Sequence, residues 1–95
     1  MMPGELRQIV ERSAKRVYWP EIVAELKSRL PQGFLPLAIN NLIYYLPSVI
    51  VELPSKNERR AAIDAIPDDC EPWFLKEDIM HRVRFLYSSA RAINT

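Results

Sequence analysis

The sequence predicts an all-α fold, a compact single-domain bundle of four to five helices with a long C-terminal helix. Apolar residues recur at three- and four-residue spacing, as they do on the inner face of a helix. Eight prolines stand where these stretches begin or end, because proline lacks the N–H that a helix interior needs. A chain of 95 residues can bury one core, so residues 1–95 are expected to form a single helical domain.

The prolines divide the chain into five predicted helices. These run from Pro3 to Tyr18, from Pro20 to Leu30, from Pro36 to Leu46, from a Ser55 cap to Ile66, and from near Pro72 to about Ile93. Ser55 and Glu58 have the spacing of a capping box, in which each side chain satisfies a free backbone N–H. The last helix would be roughly 30 Å long, enough to serve as the spine of a small bundle.

The segment from Pro47 to Pro54 can be interpreted in two ways. Val49, Ile50 and Val51 favour a strand, whereas the enclosing prolines favour a short helix or a turn. A single strand would have no partner in a helical bundle. We therefore expect a helix or irregular structure here.

Residues 31–51 carry no formal charge and are about as long as a bilayer span. Three prolines and a glycine would break the backbone where lipid offers no hydrogen-bond partner, so no membrane association is predicted. An uncharged helix is normally buried all round, at the centre of a domain or in a subunit interface. This predicts a possible homodimer, with Asn41, Tyr44 and Tyr45 at an oligomer or partner interface.

Few residues are suited to catalysis or metal binding. His81 and Cys70 are the single histidine and the single cysteine, so a zinc site is not expected. His81 is predicted to form a solvated pair with Glu77, and the acidic neighbours of Cys70 disfavour its thiolate. The sequence thus predicts a non-enzyme with no cofactor and no metal. The lone cysteine and the charged N-terminus favour a cytoplasmic location.

The last predicted helix has a second apolar side. Phe74 and Phe85 project away from its core line, and Asp78 and Arg82 stand beside Phe85. Large aromatic residues next to arginine are typical of the centres of protein interfaces. We predict that Phe74, Asp78, Arg82 and Phe85 form a surface that binds another protein.

Two basic strips support an alternative function, a nucleic-acid-binding regulator. One consists of Arg12, Lys15 and Arg16 on the first helix, and the other includes Arg84 and Arg91 on the last. Interleaved carboxylates and a net charge of only +1 weaken the field that phosphates would meet. Nucleic acid is therefore the less favoured partner.

The favoured function is that of a small non-catalytic regulator, adaptor or inhibitor that occupies a surface of a larger protein. Residues 58–67 followed by residues 83–86 loosely resemble small accessory proteins of phages and plasmids. The matching residues are common ones and identify no family, so the partner remains unspecified.

Overall fold

The computed structural model describes residues 2–71 and 74–94, with side chains over residues 2–69 and 76–88. Over these residues the chain forms an all-α bundle, which confirms the predicted fold class. The helices are α1 (Pro3–Ala14), α2 (Trp19–Arg29), α3 (Leu35–Val51), α4 (Lys56–Asp64) and α5 (Lys76–Asn94). A 3-10 turn, Gln32–Phe34, leads into α3, and two short antiparallel strands, β1 (Asp69–Glu71) and β2 (Phe74–Leu75), precede α5.

Helix α3 is the element on which the others pack. Its most extensive contacts are with α1 and α5, and α2, α4 and β1 also touch it. Its buried face consists of Ala38, Ile39, Leu42, Leu46, Pro47 and Ile50. Buried residues of the other helices, including Val10, Ile22, Leu26 and Ile79, join this face in one core cluster. The core is therefore built around a single uncharged helix.

The prediction that the third helix ends at Leu46 was wrong, because α3 continues through Pro47 to Val51. Residues 49–51 are thus helical rather than a strand. Proline supplies no N–H for the carbonyl four residues before it, which normally destabilises a helix interior. Here Pro47 and Ile50 are fully buried, and their packing offsets that loss.

Within one copy of the chain, helix α3 is not buried all round, so the core accounts for only part of its apolar surface. The side of α3 away from the core is open, and Leu37 and Tyr44 are 48% and 60% exposed. Gln32–Val51 is long and apolar enough to cross a membrane, and 33% of an 18-residue window within it is buried in the bundle. A helix at the core of a soluble protein meets the same two criteria. The bundle covers one side of this segment and leaves the other exposed.

Helix α1 ends at Ala14, four residues before the predicted end at Tyr18. Val17 has a φ of 71°, in the left-handed region, and its amide donates to the Ala14 carbonyl at 3.0 Å. A left-handed residue other than glycine costs about 1–2 kcal/mol, so helices usually mark this position with glycine. Val17 is half-buried against the core, which offsets the cost. Trp19 can then begin α2.

The two C-terminal helices begin differently from each other. The Ser55 hydroxyl accepts a hydrogen bond from the Glu58 amide at 3.1 Å, which confirms the Ser55 half of the predicted capping box. Helix α5 begins at Lys76 instead of near Pro72, so that prediction was wrong. Residues 69–71 pair with residues 74–75 instead, and the Lys76 amide donates to the Asp68 carbonyl at 3.1 Å. This pairing supplies backbone hydrogen bonds just ahead of the helix.

The Ser13 hydroxyl is fully buried and finds no hydrogen-bond partner among the described residues. A buried polar group without a partner is destabilising. We expect Ser13→Ala to raise the free energy of unfolding by about 1 kcal/mol in urea denaturation. The matched control is Ser28→Ala, which removes an exposed hydroxyl and should change little. A loss of stability in Ser13→Ala would show that the hydroxyl has a partner after all.

Candidate functional site

Two surfaces that the sequence predicts separately come together where α3 meets α5. The Arg82 guanidinium lies over the ring of Tyr44, with Cζ 5.4 Å from the ring centroid. This distance is within the range of a cation–π contact. The contact joins the predicted partner-binding residues of α5 to the predicted interface residues of α3. It also holds the guanidinium against a flat ring, which restricts its rotamers.

Phe85 extends this surface along α5. It follows Arg82 by three residues, so the two side chains are neighbours on the helix, and Phe85 is 66% exposed. On α3, Leu37 and Asn41 precede Tyr44 at helical spacing, and Asn41 Nδ2 donates to the Leu37 carbonyl at 2.8 Å. We call Leu37, Asn41, Tyr44, Arg82 and Phe85 the Tyr44/Phe85 face. It combines exposed apolar groups with one oriented cation.

The remaining residues of the two predicted surfaces are placed differently. Asp78 is exposed and stands four residues before Arg82 on α5. Tyr45 is half-buried and packs against the core cluster, so its ring contributes to the core more than to the open face. The backbone of Phe74 lies in β2, but its side chain is outside the described residues.

The predicted basic strips are partly engaged with carboxylates. Arg16 donates to Glu25 at 3.2 Å, and Arg84 donates to Glu77 at 3.0 Å. Glu77 was expected to pair with His81, which is exposed. Arg12 and Lys15 are exposed, and the side chain of Arg91 lies outside the described residues.

The two strips were predicted on helices that both pack on α3. Over the described residues, α1 and α5 make at most marginal contact with each other. Within the described part of the chain, no group of three or more His, Cys, Asp or Glu side chains could hold a metal ion.

Glu25 pairs with two arginines. Its Oε1 accepts from Arg29 Nε at 2.6 Å, as the i,i+4 spacing predicts, and its Oε2 accepts from Arg16. The hydrogen bond from Arg29, together with the charges of both guanidiniums, lowers the pKa of Glu25 below its ordinary value of 4.5. The Arg16–Glu25 pair thus ties the α1–α2 connection to α2.

Sequence reasoning missed a groove between α4 and α5. Its volume is ≈ 520 Å³, and its lining includes Ile63 and Met80 together with Lys56, Arg60 and Arg84. The predicted amphipathicity of each helix was compatible with such a groove. Nothing local indicated it, because it depends on how far apart the two helices lie.

Comparison with protein families, with curated proteins and with solved structures finds no match to this chain. The site must therefore be interpreted from its own geometry.

The lowered pKa of Glu25 predicts a pH-dependent contribution to stability. Because the folded pKa lies below the unfolded one, the contribution is complete above pH 4.5 and is lost as the pH falls through the folded value. We expect Glu25→Gln to be less stable than wild type at neutral pH, with a difference that shrinks below pH 4.5. Urea denaturation at neutral pH and below pH 4.5 measures the difference in free energy of unfolding. The control is Glu21→Gln, which changes an exposed carboxylate on the same helix. An equal difference at both pH values would contradict the assignment.

Proposed function

We propose that this chain is a small non-catalytic protein that binds another protein, acting as a regulator, adaptor or inhibitor by occupying a surface of a larger partner. The Tyr44/Phe85 face is the proposed contact. The observation that carries the proposal is the Arg82–Tyr44 contact at 5.4 Å, which joins two helices into one apolar and cationic face.

The energetics of association favour such a face. Aromatic and arginine side chains contribute most to binding energy in protein interfaces, and they do so when a partner excludes water from them. Most of the Phe85 side chain is exposed, so a partner that covers it would remove apolar surface from water. Arg82 is already held against Tyr44, so it loses less rotamer freedom on binding than an unrestrained arginine would.

The non-catalytic part of the proposal rests on the scarcity of reactive groups. With one histidine and one cysteine in the whole sequence, few combinations of nucleophile and base are available. Neither a cofactor nor a metal is part of the proposal. The single cysteine also fits the proposed cytoplasmic location, where thiols stay reduced.

We propose that a second copy of the chain occupies this face when the partner protein is absent. Since Val49 and Val51 are half-buried and Ile50 is buried, Leu37 and Tyr44 are the main apolar groups that α3 still exposes. We expect light scattering at roughly tens of micromolar to give twice the chain mass of 11.1 kDa, because both groups would be buried on dimerisation. Tyr44→Ser should restore the monomer. A wild-type mass near 11.1 kDa would contradict the dimer and leave the face for a different protein.

Phe85→Ala tests the proposed function. An exposed phenylalanine contributes little to folding, so the melting temperature should hold, while capture of the native partner from host lysate should weaken by about 2 kcal/mol or more. Tyr18→Ala removes another exposed aromatic side chain away from the face and should bind normally.

Two results would contradict the proposal. A buried phenylalanine typically contributes about 3–5 kcal/mol, so a large drop in melting temperature would place Phe85 in the core. The nucleic-acid alternative would be favoured by two results together. Phe85→Ala would capture the partner normally, and the folded triple variant Arg12→Ala, Lys15→Ala, Arg16→Ala would lose its biological function. Steep weakening of binding with salt would accompany that outcome.

A further inference from the structure

The groove between α4 and α5 has an apolar floor. Val51 at the end of α3, Ile63 on α4, and Met80 and Val83 on α5 all line it. All but Val83 are partly accessible, and the groove volume of ≈ 520 Å³ is within the range of ligand-binding clefts. Apolar side chains in a groove open to water gain free energy when a ligand covers them.

The rim of the groove is cationic on both sides. Lys56, Arg59 and Arg60 line it from α4. Arg84, which is exposed and pairs with Glu77 at 3.0 Å, lines it from α5. Asp64 is the one carboxylate in the lining. The chain as a whole has a net charge of only +1, so this groove concentrates positive charge that the rest of the surface balances. An anionic ligand would be attracted and oriented here.

Arg59 fixes the two walls relative to each other. Its Nη1 donates to the Leu53 carbonyl at 2.7 Å, which anchors it to the α3–α4 connection. Its guanidinium also lies over the ring of Tyr87 on α5, with Cζ 5.8 Å from the centroid. Close backbone contact between α4 and α5 is otherwise slight over the described residues. Among the described residues, Arg59 thus links α4 to α5 across the groove.

We propose that this groove binds an acidic amphipathic helix of a partner protein. A helix can present an apolar stripe to the floor while carboxylates on both flanks of the stripe meet cations on both rims. A single-headed anionic lipid could place its charge against only one part of the rim. Met80 suits a helical occupant, because its unbranched side chain adapts to the shape of the residues it meets. This surface goes beyond the Tyr44/Phe85 face and shares no residue with it.

The test uses two synthetic peptides and the full chain. One peptide is an amphipathic helix of about 15 residues, with leucine on one face and glutamate on both flanks. The other has lysine in place of each glutamate. By isothermal titration calorimetry at low salt, we expect the glutamate peptide to bind and the lysine peptide not to bind. Amide shifts in NMR should be confined to α4, Val51 and the groove side of α5.

Charge reversal locates the binding. Lys56→Glu with Arg60→Glu should weaken the glutamate peptide at least about tenfold, because both exposed cations face its carboxylates. The matched control is Arg7→Glu with Lys27→Glu, which makes the same change in net charge at exposed sites on α1 and α2. The control should weaken binding less than about twofold. Phe85→Ala should bind the peptide like wild type, which separates this proposal from the proposed function.

Several results would overturn the proposal. These are equal binding of the two peptides, equal loss in the reversal and control variants, or amide shifts centred on Phe85. If laurate shifts the amide resonances of the groove and the glutamate peptide does not, the groove is assigned to an anionic lipid. Three results together would assign the groove to a second copy of the chain. The wild type would be a dimer, the Lys56→Glu, Arg60→Glu variant would be a monomer, and the glutamate peptide would not dissociate the dimer.

Discussion

The burial of one face of α3 is the constraint on which the rest of the structure depends. Its seventeen residues carry no charge, so only packing against neighbouring helices removes its apolar face from water. Helices α1 and α5 supply most of that packing without contacting each other extensively. The result is an elongated body of 44 × 25 × 23 Å, in which helices sit around a shared axis and leave parts of their sides uncovered.

The same constraint positions the candidate site. Because α5 packs on α3, Arg82 comes within reach of Tyr44 on the side of α3 that the core does not use. Because α4 follows α3 after a short connection, its cations stand across a gap from α5 and create the groove. Both surfaces therefore follow from how α3 is covered, and neither needs a special loop or a cofactor.

Much of the local structure was predictable from the sequence. The spacing of polar residues identified Ser55 as a cap and Glu25–Arg29 as an i,i+4 pair. The failures arose where tertiary packing overrode local rules. Pro47 normally ends a helix but is buried inside one, and Val17 takes a left-handed conformation that only its packing against the core makes acceptable.

The candidate site was predictable in its parts but not in its assembly. Tyr44, Arg82 and Phe85 could be singled out as surplus surface groups, since each departs from the core pattern of its helix. That Arg82 stacks on Tyr44 depends on the crossing of two helices far apart in sequence. The groove was even harder to predict from the sequence. Lys56 and Arg60 have the pattern of an ordinary solvated helix face, and only the position of α5 opposite them makes a groove.

Helix α4 buries little of its surface against the rest of the bundle, which favours local unfolding of this helix. Over its nine residues Ala62 alone is buried, and a helix this short is not stable by itself in water. Its amide hydrogens should exchange with solvent through local openings that leave the α1–α3–α5 core intact, well below the free energy of global unfolding. The α4 wall of the groove is thus expected to open more readily than the α1–α3–α5 core. A ligand that binds in the groove also stabilises the folded state of α4. Its affinity is lowered by the fraction of molecules in which α4 is locally unfolded.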